Sequence, residues 1–214
     1  FLIFFTACQN NQSLFELVGE NESGIHFNNV IKETDSLNVL DVSNVYNGGG
    51  VGIGDFNGDS LPDIYFSGNR VANKMYLNKG GFKFEDITEQ AKVDGEGKWC
   101  RGVSVIDINN DGLSDIYISA TLDTSANKRK NILYINQGNN VNGIPEFKDM
   151  AAEYGLADTT YSTMANFFDY DNDGDLDMFL VVNEIKNPSI PNIYHPKKEF
   201  PEYYSSSKLY ENKW

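Results

Sequence analysis

Asp107-Ile108-Asn109-Asn110-Asp111-Gly112-Leu113-Ser114-Asp115 sets an acid or amide at positions 1, 3, 5 and 9 of a nine-residue stretch, with glycine at the sixth. Asp55-Phe56-Asn57-Gly58-Asp59-Ser60-Leu61-Pro62-Asp63 and Asp169-Tyr170-Asp171-Asn172-Asp173-Gly174-Asp175-Leu176-Asp177 repeat that spacing without a gap. The three copies start 52 and 62 residues apart, a period suited to a four-stranded blade with loops of varying length. Apolar and β-prone runs flank each copy: Gly50–Gly54 and Ile64–Phe66, Gly102–Ile106 and Ile116–Ile118, Met164–Phe168 and Met178–Leu180. Such runs on either side of a turn-rich segment predict strand, loop, strand. Gly50, Gly52, Gly102 and Ser104 suit an inner strand crowded by its neighbours.

The spacing has a chemical reading. Hard Ca²⁺ takes six to eight oxygen ligands, and a loop with acids or amides at 1, 3, 5 and 9 and a carbonyl at 7 can wrap them around one ion. The expected ligands are Asp55, Asn57, Asp59, the Leu61 carbonyl and Asp63 in the first loop. Asp107, Asn109, Asp111, the Leu113 carbonyl and Asp115 serve the second, and Asp169, Asp171, Asp173, the Asp175 carbonyl and Asp177 the third. About three Ca²⁺ are therefore expected. Gly112 and Gly174 meet the demand for a sharp turn at position 6, whereas Ser60 does not, so the first site is expected to be the weakest. An EF-hand opens in the same way but needs Glu at position 12, where Phe66, Ile118 and Leu180 stand. Eleven of the 31 acidic residues lie in these loops, and without a cation their like charges would repel.

Two further markers recur in phase: Met75-Tyr76-Leu77-Asn78, Leu133-Tyr134-Ile135-Asn136 and Leu209-Tyr210-Glu211-Asn212, then Phe84-Glu85-Asp86 and Phe147-Lys148-Asp149. Taken together, the acidic loops, the Leu-Tyr-x-Asn element and the Phe-x-Asp element resemble the FG-GAP, or VCBS, repeat. That repeat occurs in integrin α-subunit propellers, in cartilage acidic protein and in bacterial surface lipoproteins. The resemblance covers residues 14–214 and implies an all-β fold of four-stranded antiparallel propeller blades, usually seven to a ring. About three blades and partial ones fit here, so the chain is expected to be part of a larger propeller.

The 214 residues carry a net charge of −14, which opposes attraction to nucleic acid phosphate. No apolar run approaches the roughly 20 residues of a membrane-spanning helix. Residues 1–8, Phe1-Leu2-Ile3-Phe4-Phe5-Thr6-Ala7-Cys8, resemble the end of a lipoprotein signal, with Cys8 as the lipidated residue and 9–13 as a polar tether. That makes a secreted, outer-membrane or cell-surface lipoprotein the expected setting, touching the membrane only through its anchor. Cys100 is then a single buried thiol; a Cys8–Cys100 disulfide is the alternative.

His26 and His195 have no zinc spacing, and no nucleophile elbow, phosphate loop or dinucleotide fingerprint is present. Gly48-Gly49-Gly50 reads as a turn into the inner strand, and Trp99 as core. The function expected is a surface binding or adhesion module for a protein or glycan ligand, with structural calcium and no catalysis. A polysaccharide lyase or hydrolase on a calcium-loaded propeller is the alternative, and an assembly partner for a membrane transporter is a third reading. Asn127-Lys128-Arg129-Lys130 and residues 183–207 are the variable loops where such activity would reside.

Overall fold

The computed structural model describes residues 13–35, 37–39, 45–183 and 206–213. Cys8, His195 and most of residues 183–207 lie outside them. Three antiparallel sheets follow one another along the chain. Blade 1 comprises β1 (Val51–Gly54), β2 (Asp63–Phe66), β3 (Lys74–Asn78) and β4 (Phe84–Asp86). Blade 2 comprises β5 (Trp99–Ile106), β6 (Asp115–Thr121), β7 (Ile132–Asn139) and β8 (Pro145–Asp149). Blade 3 has β9 (Ser162–Phe168), β10 (Asp177–Val182) and β11 (Lys208–Tyr210). In each sheet the hydrogen-bonded order follows the chain order, giving the up-and-down meander of a propeller blade. The third sheet shows three strands among the described residues, where the repeat predicts four. The helices are single turns: α1 (Glu20–Ser23), α2 (Thr88–Ala91) and α3 (Ala126–Arg129).

Alternation along the strands builds two cores. Tyr65 of β2 with Met75 and Leu77 of β3 turn one face of blade 1 onto Val103, Ile116 and Ile118 of blade 2. The opposite faces of β6 and β7, with Tyr117, Leu133 and Ile135, meet Ala165, Met178 and Leu180 of blade 3. Trp99 lies in a smaller cluster with Leu37 and Val45, so it is core, as its sequence context predicts.

The inner strands touch directly, and the small residues are the reason they can. A Cβ on Gly52 would stand 2.6 Å from Val103 Cγ1, and one on Gly102 would stand 2.6 Å from the Thr163 carbonyl oxygen. Hydroxyls stitch the same seam: Ser67 Oγ donates to the Arg101 carbonyl at 2.5 Å, and Ser104 Oγ to the Ala165 carbonyl at 2.6 Å. Each acidic loop is the β1–β2, β5–β6 or β9–β10 turn, so all three sit at the same end of their inner hairpins.

Candidate metal centres

The loops are shaped by their own carboxylates. Asp55 accepts the amides of Gly58, Asp59 and Ser60, and Asp107 accepts those of Asp111 and Gly112. Asp169 accepts that of Gly174. The position-5 residues Asp59, Asp111 and Asp173 take the amide of position 7. Curling back so tightly demands left-handed backbone twice per loop. Position 4 has φ of 74°, 56° and 63° at Gly58, Asn110 and Asn172, and position 6 has 67°, 83° and 97° at Ser60, Gly112 and Gly174. Glycine and asparagine tolerate that region, serine less so.

The ninth-position aspartates close the loops from inside the blade. Asp63 and Asp115 are fully buried and Asp177 nearly so. One oxygen of each accepts the amide of loop position 2, at 2.9 Å from Phe56, 3.1 Å from Ile108 and 2.9 Å from Tyr170. The other accepts the amide of the Leu-Tyr-x-Asn asparagine, at 2.8 Å from Asn78, 2.8 Å from Asn136 and 2.9 Å from Asn212. Two motifs that look independent in the sequence are thus one hydrogen-bonded device. Asn136 reaches further, donating from Nδ2 to the Phe56 carbonyl at 2.9 Å, so blade 2 holds the first loop of blade 1. Asn139 Nδ2 does the same to the Asn57 carbonyl at 2.6 Å. Asn78, Asn136 and Asn212 are supporting residues that motif reading leaves without a role; their constant phase with the loops is the signal that marks them.

Position 3 separates the loops. Asn57 and Asn109 each donate from Nδ2 to the position-5 carboxylate, at 2.9 and 2.8 Å. Asp171 has no proton to donate, so acids converge instead: ligand oxygens of Asp169, Asp171 and Asp177 all lie within 4.8 Å of one another. Desolvation and the neighbouring Asp173, Asp177 and Asp169 charges push the Asp171 carboxyl above its ordinary range. Burial raises Asp63, and it raises Asp115 to about 6, in both against the pull of two amide hydrogen bonds and with the adjacent loop acids adding to the rise. Asp175 Oδ1 is buried with no hydrogen-bond partner. An oxygen-only donor set, carboxylates crowded against their own charge and an orphaned carboxylate oxygen fit a hard cation such as Ca²⁺.

Residues 55–118, from the first loop to the strand after the second, match the model of an FG-GAP-like repeat. This part of the chain is therefore similar to an FG-GAP-like repeat. The acidic loops at 55–63 and 107–115 both lie within that match, which ties the family pattern to the geometry above. The chain is also similar to cartilage acidic protein 1 of Xenopus tropicalis, 29% identical over 148 residues, covering 68% of this chain and 21% of that protein. The Homo sapiens protein of the same name is 29% identical over 138 residues, 64% of this chain and 20% of the relative. The chain therefore spans about a fifth of the length of the curated relatives it matches.

Other candidate residues are placed elsewhere. His26 is exposed, 3.9 Å from Glu20. Arg129, expected in a variable binding loop, is buried instead: its Nε donates to the Thr159 carbonyl at 3.0 Å and its guanidinium lies 4.6 Å from the centre of the Tyr161 ring. A planar guanidinium stacked and bonded in this way tethers α3 to the segment before β9 rather than awaiting a ligand. Among the described residues no helix is long and apolar enough to cross a membrane.

Proposed function

We propose that this chain is a calcium-stabilised propeller module of an extracellular, surface-anchored protein, in which the metal is structural and the blade faces bind a protein or glycan. The observation that carries the reading is the convergence of Asp169, Asp171 and Asp177, whose ligand oxygens lie within 4.8 Å of one another, in a loop whose spacing recurs twice more. Its ligands are the side chains at positions 1, 3, 5 and 9 and the position-7 carbonyls of Leu61, Leu113 and Asp175. Bound calcium would neutralise the acids at positions 1 and 5, and Asp171 at position 3 of the third loop, would lock each inner hairpin, and would leave the chemistry of recognition to the blade surfaces. Similarity to proteins named cartilage acidic protein supports an extracellular setting, and Cys8 remains the proposed lipid anchor. The test is a metal count together with thermal unfolding in excess Ca²⁺ and in chelator. About three ions bound, with each site adding on the order of 2.7 kcal/mol at a hundredfold excess over its Kd, is expected. No bound metal and no shift in the melting temperature would leave the acids as turn-formers only.

A further inference from the structure

We propose that the first and second acidic loops bind calcium cooperatively, with Asn136 as the positioning residue that couples them, so that the second loop fills first and tightens the first. This rests on the calcium reading above and adds to it an order of filling.

The closing acids of the two loops are joined by a continuous run of hydrogen bonds. Asp63 Oδ2 accepts the Phe56 amide at 2.9 Å, the Phe56 carbonyl accepts Asn136 Nδ2 at 2.9 Å, and the Asn136 amide donates to Asp115 Oδ1 at 2.8 Å. Asn136 Nδ2 also donates to the Ser114 carbonyl at 3.2 Å, at position 8 of the second loop. Its Oδ1 accepts the Gly138 amide at 2.9 Å, which fixes the orientation of the side chain. One buried asparagine thus bonds a backbone carbonyl in each loop, while its own amide sits on the closing acid of the second. Further along β7, Asn139 adds a second strut to the Asn57 carbonyl at 2.6 Å. Phe56 is pinned from the same sheet, since its ring packs edge-on against Phe147, which faces Asn136 across β7 and β8.

The first loop leans on this support more than the second does. Its sixth position is Ser60 in left-handed backbone, φ 67°, where the second loop has Gly112. Its carbonyls at positions 2 and 3 are held by asparagines of blade 2. The second loop is tied within its own sheet, through the Ile108 and Asn136 amides on Asp115. When Asp107, Asn109 and Asp111 close with Asp115 on an ion, Asp115 is held in place, and with it the Asn136 amide that it accepts. Asn136 then presents Nδ2 to Phe56 in a single orientation. The first loop closes against a partner that is already ordered, so its own ion no longer carries the entropy of ordering Asn136. The linkage is reciprocal: the factor by which the second loop helps the first is the factor by which the first helps the second. Repulsion between two divalent ions acts the other way and is screened by salt, so positive coupling marks the hydrogen-bonded route.

Hydrogen exchange of the intact protein, followed by mass spectrometry over a range of free calcium at about 0.15 M salt, gives one midpoint for peptides spanning 55–63 and another for 107–115. The 107–115 midpoint is expected at the lower calcium concentration. Asp111→Ala, at an exposed position of the second loop, should raise the 55–63 midpoint at least about fivefold, and Asp59→Ala should raise the 107–115 midpoint by the same factor. With Asn136→Ala in place, Asp111→Ala should no longer move the 55–63 midpoint, a result that a merely structural role for Asn136 does not produce. Asn139→Ala, at an exposed position where folding is not at stake, should shrink the factor. Asp173→Ala, which removes the same charge from the third loop, should leave the 55–63 midpoint in place. Calcium-dependent protection of both loops with independent midpoints overturns the coupling and leaves the calcium reading standing, whereas protection of neither loop removes both. Equal shifts from Asp173→Ala and Asp111→Ala overturn the coupling as well, by showing a general effect of charge.

Discussion

At Ser60 a β-carbon occupies left-handed backbone that the other two loops assign to glycine, with φ of 67° against 83° at Gly112 and 97° at Gly174. Left-handed geometry costs an L-residue about 1–2 kcal/mol, part of which glycine returns as unfolded-state entropy, so Ser60→Gly should stabilise the protein by roughly 0.5–1 kcal/mol. The check is the urea midpoint. Asp115 sets a pH dependence of definite sign. Its folded carboxyl titrates near 6 because burial disfavours the charge, above the ordinary 3.8 of an exposed aspartate. A raised carboxyl contributes stability that is full below 3.8 and is lost as pH rises through about 6. Calcium-free protein should therefore unfold at lower urea at pH 7.5 than at pH 5.0. Calcium, which favours the ionised acid, should remove or invert that difference; equal midpoints at both pH values without calcium would contradict the assignment.

The element that repeats is larger than the loop. Inner hairpin, ninth-position aspartate and Leu-Tyr-x-Asn strand form one unit, because a buried carboxylate with two amide donors ties the loop to the third strand. Asn136 extends that unit across the seam to the Phe56 carbonyl. Asn136→Ala should lower stability by about 1–3 kcal/mol through orphaned buried carbonyls, and should weaken metal binding at the first loop, which it steadies from outside. Titration of calcium into the variant checks both. A second recurring device, absent from the motif reading, is the buried Tyr–Asn pair: Asn73 Nδ2 donates to the Tyr65 hydroxyl and Asn131 Nδ2 to that of Tyr117, each at 2.9 Å, while the hydroxyls donate to the Val93 and Leu156 carbonyls. Strands and loops were legible because hydrophobic alternation and acid spacing are local patterns. These pairs were not, because the fourteen or fewer residues between partners carry no periodicity that marks them.

Over the whole molecule the blades are held by thin seams of small residues between inner strands and by the two cores behind them. Gly52→Val would drive a side chain into Val103 and Val105, whose methyls already stand 2.6 and 2.8 Å from a Cβ at that place, and should cost about 1–3 kcal/mol or part the blades. Cys100 reports on the same seam. Burial pushes its thiol up to about 11, so the native protein should resist alkylation at neutral pH, and labelling should proceed only at the rate at which blades 1 and 2 separate. If calcium locks the loops, it should slow that labelling, which mass spectrometry can follow. Sequence alone determined the all-β class, the number and place of the acidic loops and the crowding of the inner strands, since each is written in spacing or in residue size within a few positions. Only the tertiary structure decided which amides fill the ninth-position carboxylates and that Arg129 is buried rather than presented, because these depend on contacts between segments that the chain brings together only when it folds.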